Sequence, residues 1–192
     1  MRRGRALIPL LLLAALFASA QDSVGVYSTR KDYLEKRLTF KSSCQDRKRG
    51  IRLNNFLSRS FVSVFDHGKK IRVEKAALFG FRDCESKDYR FFENHDYAML
   101  SHSAELTLYT REILQPKGKT VARESFYFFS NGMEGIILPL TRDNLRYAFP
   151  DNWRFHDIVG NQFQDEESLR HYDEIRKEYQ LIVAYQHSKN YY

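Results

Sequence analysis

The chain has 192 residues, with 31 basic and 24 acidic side chains, a formal net charge of +7 and 15% aromatic residues. Only 9 Gly and 4 Pro stand among those aromatics, which excludes a disordered or low-complexity chain. Neither a repeat nor a linker divides the sequence, so one domain is expected.

Arg2, Arg3 and Arg5 open the chain, Ala6 to Phe17 is almost wholly apolar, and Ala18-Ser19-Ala20 has the small-x-small pattern that signal peptidase accepts. This is the layout of a secretory signal peptide over residues 1–20, leaving 21–192 as a single mature α+β domain. The apolar run is shorter than the ~20 residues a bilayer span needs. No later stretch is long and apolar enough to span, so no transmembrane segment is expected in the mature chain. Gln21 would come first after cleavage, and without a cysteine there no lipid anchor is indicated. Removing the three signal arginines leaves 28 basic against 24 acidic residues, a net charge of +4. That falls short of the concentrated basic footprint of a nucleic-acid binder, so no nucleic-acid partner is expected. A weak attraction to acidic lipids or polysaccharides remains open.

Cys44 and Cys84 are the two cysteines. An even count in an exported chain points to a disulfide, with two buried free thiols as the alternative. The bond would close a loop of about 40 residues and stabilise by ~3–4 kcal/mol in the chain-entropy model. No C-x-x-C motif is present, which excludes thiol–disulfide catalysis of that type.

In chain order, Thr29 is placed to cap a short helix over Arg30 to Glu35. Leu38 to Ser42 begins a strand-like region. Phe61 to Phe65 and Ile71 to Val73 flank the turn Asp66-His67-Gly68-Lys69, a hairpin signature. Tyr89 to Phe92 and Glu105 to Ile113 are further strands, the second alternating Leu106 and Leu108 with Thr107 and Tyr109. Ser125 to Ser130 is a nearly all-aromatic strand, and Asn131-Gly132 predicts a hairpin turn back to Ile136-Ile137-Leu138. After Pro139 the period becomes helical. Thr141 caps a helix carrying Leu145, Ala148 and Phe149 that Pro150 stops. Asp151 caps a second helix through Phe155, Ile158, Val159 and Phe163. Asp165 opens a third, with Glu166 and Glu167 at its positive end and an apolar stripe of Leu169, Tyr172, Ile175, Tyr179, Ile182 and Val183. The expected fold class is therefore α+β: an antiparallel β meander or roll over about 38–140, a short N-terminal helix, and C-terminal helices over about 141–187.

Candidate chemistry is sparse. The histidines are His67, His95, His102, His156, His171 and His187, and no pair has zinc spacing. Glu167 and His171, four apart on the third helix, would share one face; without a third ligand they read as a surface pair rather than a metal site. His156-Asp157 resembles half of an acid–base pair, yet adjacent helical residues point about 100° apart, and His156 near its cap is expected to face solvent. Asp83, Glu85 and Asp88 gather acids around Cys84 without the glycine or spacing of a calcium loop; a polar hairpin turn is the expected reading. Arg47, Lys48, Arg49 and Arg52 form one basic cluster, and Lys69, Lys70, Arg72 and Lys75 another, with Phe56, Phe61 and Phe65 nearby. Such a mixture binds single strands or anionic glycans, or is simply a solvated face over a core. Serine-elbow and phosphate-loop motifs are absent, so no catalytic residue or cofactor is indicated.

Phe79-Gly80-Phe81-Arg82-Asp83-Cys84, Asp88-Tyr89-Arg90-Phe91-Phe92, Leu138 to Leu145, and Ala148-Phe149-Pro150-Asp151-Asn152 recur together in a family of exported proteins from Gram-negative bacteria, which this chain resembles from about Gly25 to His187. The resemblance carries no activity and no site residue; it implies a bacterial envelope or secreted protein, in the periplasm or outside the cell. The expected function is a non-enzymatic binding or interaction protein of the bacterial envelope, with another envelope protein or a glycan as partner. The alternatives are a secreted hydrolase using His156, Asp157 or His171, and a small-ligand carrier with an apolar pocket.

Overall fold

A computed structural model describes residues 23–45, 51, 59–66, 69–102, 105–118 and 120–189. The signal peptide, the basic cluster Arg47, Lys48, Arg49 and Arg52 with Phe56, and the turn residues His67 and Gly68 lie outside the described residues.

Strand β1 (Ser23–Tyr27) leads into helix α1 (Arg30–Leu34) and strand β2 (Thr39–Ser43). Thr29 accepts the Asp32 amide at 3.1 Å while the Asp32 carboxylate accepts the Thr29 amide at 3.0 Å, a capping box. The hairpin β3 (Phe61–Asp66) and β4 (Lys69–Glu74) stands apart from the main sheet. Six strands then follow as a meander: β5 (Gly80–Arg82), β6 (Asp88–Phe92), β7 (His95–His102), β8 (Leu106–Lys117), β9 (Thr120–Asn131) and β10 (Leu138–Pro139). Strand β1 joins beside β5, and β2 beside β1, giving one eight-stranded sheet in the order β10-β9-β8-β7-β6-β5-β1-β2. Every pairing is antiparallel. The molecule is thus an α+β fold built on an antiparallel meander.

Alternation sends successive side chains to opposite faces. One face carries Leu106, Leu108 and Phe129, and on them pack α2 (Arg142–Ala148), α3 (Trp153–Gln162) and α4 (Gln180–Lys189). Leu145, Phe149, Phe155, Val159, Phe163, Leu181 and Ile182 supply the helical half of this core. At the far end of the same face, Val26, Phe81 and Phe91 pack with Val62 and Val64 of the separate hairpin. The opposite face holds Tyr27, Tyr97 and Tyr109, covered by Tyr33 of α1 and by Met133 and Ile137 of the β9–β10 connection.

Cys44 and Cys84 are bonded, with Cα atoms 5.5 Å apart, and the bond ties the end of β2 to the β5–β6 turn. Gly80, in the middle of the sheet, is required sterically: a Cβ there would meet the Tyr89 carbonyl oxygen at 1.9 Å.

Three expectations are corrected. The third helix is not continuous: a 3-10 turn (Ser168–Arg170) leads to a short hairpin, β11 (Tyr172–Asp173) and β12 (Glu178–Tyr179), before α4 begins. The Asp173 carboxylate accepts the Ile175 and Arg176 amides at 2.9 Å each and Lys177 adopts φ 56°, so a local side-chain turn displaces the helix. Ile175, a member of the predicted stripe, is 95% exposed at that turn, whereas Leu169 and Ile182 do enter the core. The cap of α3 is Asn152, whose Oδ1 accepts the Phe155 amide at 3.0 Å; Asp151 is the exposed residue before it. Asn131-Gly132 turns the chain, with Gly132 at φ 71°, but into a wider connection that reaches Leu138 opposite Phe129. There the Gly132 amide donates to the Glu105 carbonyl at 2.7 Å, and Met133 inserts beside Tyr27 and Tyr33.

Candidate functional site

The residues singled out from the sequence do not converge. His156 is half-buried rather than solvent-facing, and its Nε2 is sealed with no hydrogen-bond partner among the described residues, while Asp157 is exposed. Position 156 lies three residues before the buried Val159, so its side chain borders the apolar face of that helix. Glu167 and His171 are not on one helix; Glu167 instead pairs with Arg170. Asp83 stays in the β5–β6 turn, accepting the Glu85 and Lys87 amides at 2.9 Å each. Asp88 leaves that turn altogether and joins Arg82, Lys36 and Tyr27. Among the described residues no group of three or more His, Cys, Asp or Glu side chains is placed to hold a metal ion. In the second basic cluster, Lys69, Lys70 and Arg72 are exposed on β4, but Lys75 is buried and donates to the Asn94 carbonyl at 2.7 Å. Burial pushes the Lys75 ammonium below its ordinary range, against the pull of Asp96.

A groove among the described residues lies elsewhere, at the end of the helical layer. It has a volume of about 580 Å³ and lies between the α2–α3 junction, the last turn of α4 and the start of β8. Phe149 and Tyr185 form its floor, with rings 5.0 Å apart, and both rest on Phe155. On one wall, Glu105 accepts from the Tyr185 hydroxyl and pairs with Lys189 at 2.8 Å. Those two hydrogen bonds, Lys189 first, hold the Glu105 carboxyl below its usual range, so it is ionised. Burial, then the hydrogen bond to Glu105, pushes the Tyr185 phenol up, so it stays a donor.

On the other wall stands Trp153, 64% exposed, with the Arg154 guanidinium 5.5 Å from its ring centroid. Asn152 joins the walls: while its Oδ1 caps α3, its Nδ2 donates to Ser188 Oγ at 2.9 Å, and Ser188 donates to the Tyr185 carbonyl at 2.6 Å. Asn131 lines the rim and donates to the Ala148 carbonyl at 2.9 Å. The rigid parts of the groove are thus fixed by helix caps and by the core beneath.

The lining holds Glu105 and Asp151 against Arg154 and Lys189, so the formal charges balance. A neutral, hydroxyl-rich ligand suits such a surface: an aromatic plane for its apolar face, with amide and charged groups around it for hydroxyls. Sequence reasoning passed over Trp153, Glu105 and Lys189. One signal was readable: Trp153 precedes Phe155 by two residues, about 200° away on the helix and so off the apolar stripe.

No family model matches the chain, and no curated protein or solved structure is similar enough to count as a match.

Proposed function

We propose that this is an exported, non-enzymatic binding protein of the bacterial envelope, and that the groove at Trp153 takes a neutral stretch of glycan. The signal-peptide pattern of residues 1–20 supports the compartment, as does the Cys44–Cys84 bond, because disulfides persist in oxidising surroundings. The observation that carries the ligand class is the chain's single tryptophan, standing exposed at the mouth of a charge-balanced groove with a fixed aromatic floor.

Because there is one Trp, its fluorescence reports on this groove alone. Titration with neutral envelope oligosaccharides is expected to shift that emission saturably. Trp153→Ala is expected to weaken binding, measured by calorimetry, by at least about tenfold, the loss of an aromatic anchor that the ligand would cover. Unchanged emission across neutral and acidic glycans would overturn the ligand class. In that case, in-cell crosslinking through Trp153 that captures one dominant envelope protein would move the assignment to a protein partner.

A further inference from the structure

The sheet face opposite the helices carries arginines that have no ion-pair partner among the described residues. Arg90 pairs with Tyr97 across β6 and β7, and the β7–β8 register then sets Tyr97 opposite Arg111, which pairs with Phe126. Two arginines therefore flank one tyrosine along a single row of this face. Arg90 is only 6% exposed. Its Nη1 donates to Tyr109 Oη at 3.2 Å and to Ser130 Oγ at 3.4 Å. Nε and Nη2, the edge that grips an oxyanion with two parallel bonds, donate to no described residue.

Asp88, two residues from Arg90 on β6 and so on the same face, is already committed. Asp88 accepts Arg82 through Nε and Nη2 at 2.8 Å each, Lys36 at 2.9 Å and Tyr27 at 2.8 Å. Neither Arg90 nor Arg111 forms an ion pair among the described residues. Both instead lie on aromatic rings: Arg90 at 5.6 Å from the Phe92 centroid and Arg111 at 5.7 Å from that of Tyr97. Thr107 stands opposite Ser130 in the β8–β9 register, is 0% exposed, and its hydroxyl has no hydrogen-bond partner among the described residues. The hydroxyls of Ser130 and Tyr109 are spent: Ser130 Oγ donates to the Gly132 carbonyl at 2.6 Å, so at the 3.0 Å contact between the two Tyr109 is the donor.

A buried guanidinium without a counter-charge is costly unless something supplies the charge. We infer that Arg90 and Arg111, on either side of Tyr97, form a site for a small oxyanionic ligand bearing a carboxylate or a phosphate. Burial is the main cause that depresses His95 on β7, with Arg111 and Lys75 adding to it against the pull of Asp96 and Glu93. This site is separate from the groove and does not depend on the glycan reading.

The test uses the mature chain, with inorganic phosphate and acetate as separate probes at constant ionic strength, read by NMR on the arginine Nε–H signals. Saturable shifts of the Arg90 and Arg111 signals are expected with at least one probe, and the probe that saturates at lower concentration names the anion class. Arg111→Gln, at a half-exposed position that leaves the core intact, is expected to weaken that binding by about tenfold, the worth of one charge-assisted contact. Should Arg90→Gln fail to fold, Arg111→Gln alone decides. Non-saturating shifts with both probes into the millimolar range, or undiminished binding by Arg111→Gln, would overturn the site.

Discussion

The two faces of the sheet are stabilised by different physics. Under the helices, Leu106, Leu108 and Phe129 meet Phe155, Leu169, Leu181 and Ile182 in a core made almost wholly of hydrocarbon. On the other face, beside Met133 and Ile137, stand buried Tyr27 and Tyr109 with their hydroxyls engaged, the half-buried Asp88 carboxylate with four donor contacts, and a buried arginine among aromatics. Burial of apolar area is nondirectional, so the helical face tolerates modest shifts in packing. A hydrogen-bonded charge network is directional, and loses heavily when one member is removed. The helical side thus serves as a platform for the groove, whereas the opposite side holds polar groups in one fixed arrangement.

That contrast is breakable by substitution. The largest effect is expected for Phe155→Ala, since the ring is fully buried and touches both Phe149 and Tyr185. A loss of about 3–5 kcal/mol is expected from urea unfolding, together with collapse of the groove floor. Replacing Cys44 and Cys84 together by alanine should cost about 3–4 kcal/mol in the same measurement, because the bond closes a loop between residues 40 apart.

Next comes Asp88→Asn on the polar face, expected to cost about 2 kcal/mol at neutral pH. Its signature is pH. Burial raises the Asp88 carboxyl, but hydrogen bonds from Arg82, Lys36 and Tyr27 together outweigh it, and the net direction is down. A carboxyl depressed in the folded state stabilises above its ordinary value, and that contribution disappears as pH falls through the depressed value. The gap in urea midpoint between the natural chain and Asp88→Asn should therefore be full near neutrality and close in acid. A gap that is unchanged at low pH would show that Asp88 acts through packing alone. The smallest effect on stability, within about 0.5 kcal/mol, is expected for Trp153→Ala, an exposed position outside both cores. Loss of binding without loss of stability would separate the groove from the platform beneath it.

Much of this architecture was legible residue by residue. The alternation of Leu106 and Leu108 with Thr107 and Tyr109 announced β8, and the two sets do point to opposite faces. Thr141 caps α2 by accepting the Asn144 amide at 3.2 Å, as its place before a helical period predicts. The stripe through Ile175 failed because a helical period of apolar residues also describes two short strands whose rings meet, Tyr172 and Tyr179 at 5.0 Å. Strand β7 was missed altogether, since His95 to His102 mixes polar and apolar residues without a clean period. Its neighbours on both sides, β6 and β8, select its conformation through their ladders.

By itself, the sequence determined the export signal as an expectation, the α+β class, the helix caps at Thr29 and Thr141, and the pairing open to only two cysteines. These are matters of local stereochemistry, composition and count. Tertiary structure decided the rest. Only the register across three strands sets Arg90, Tyr97 and Arg111 in one row, and only the packing of α4 against the α2–α3 junction brings Lys189 and Glu105 to the groove of Trp153. Residues tens of positions apart meet because a sheet and its helices must bury their apolar faces together, and no local periodicity records which polar groups are carried along.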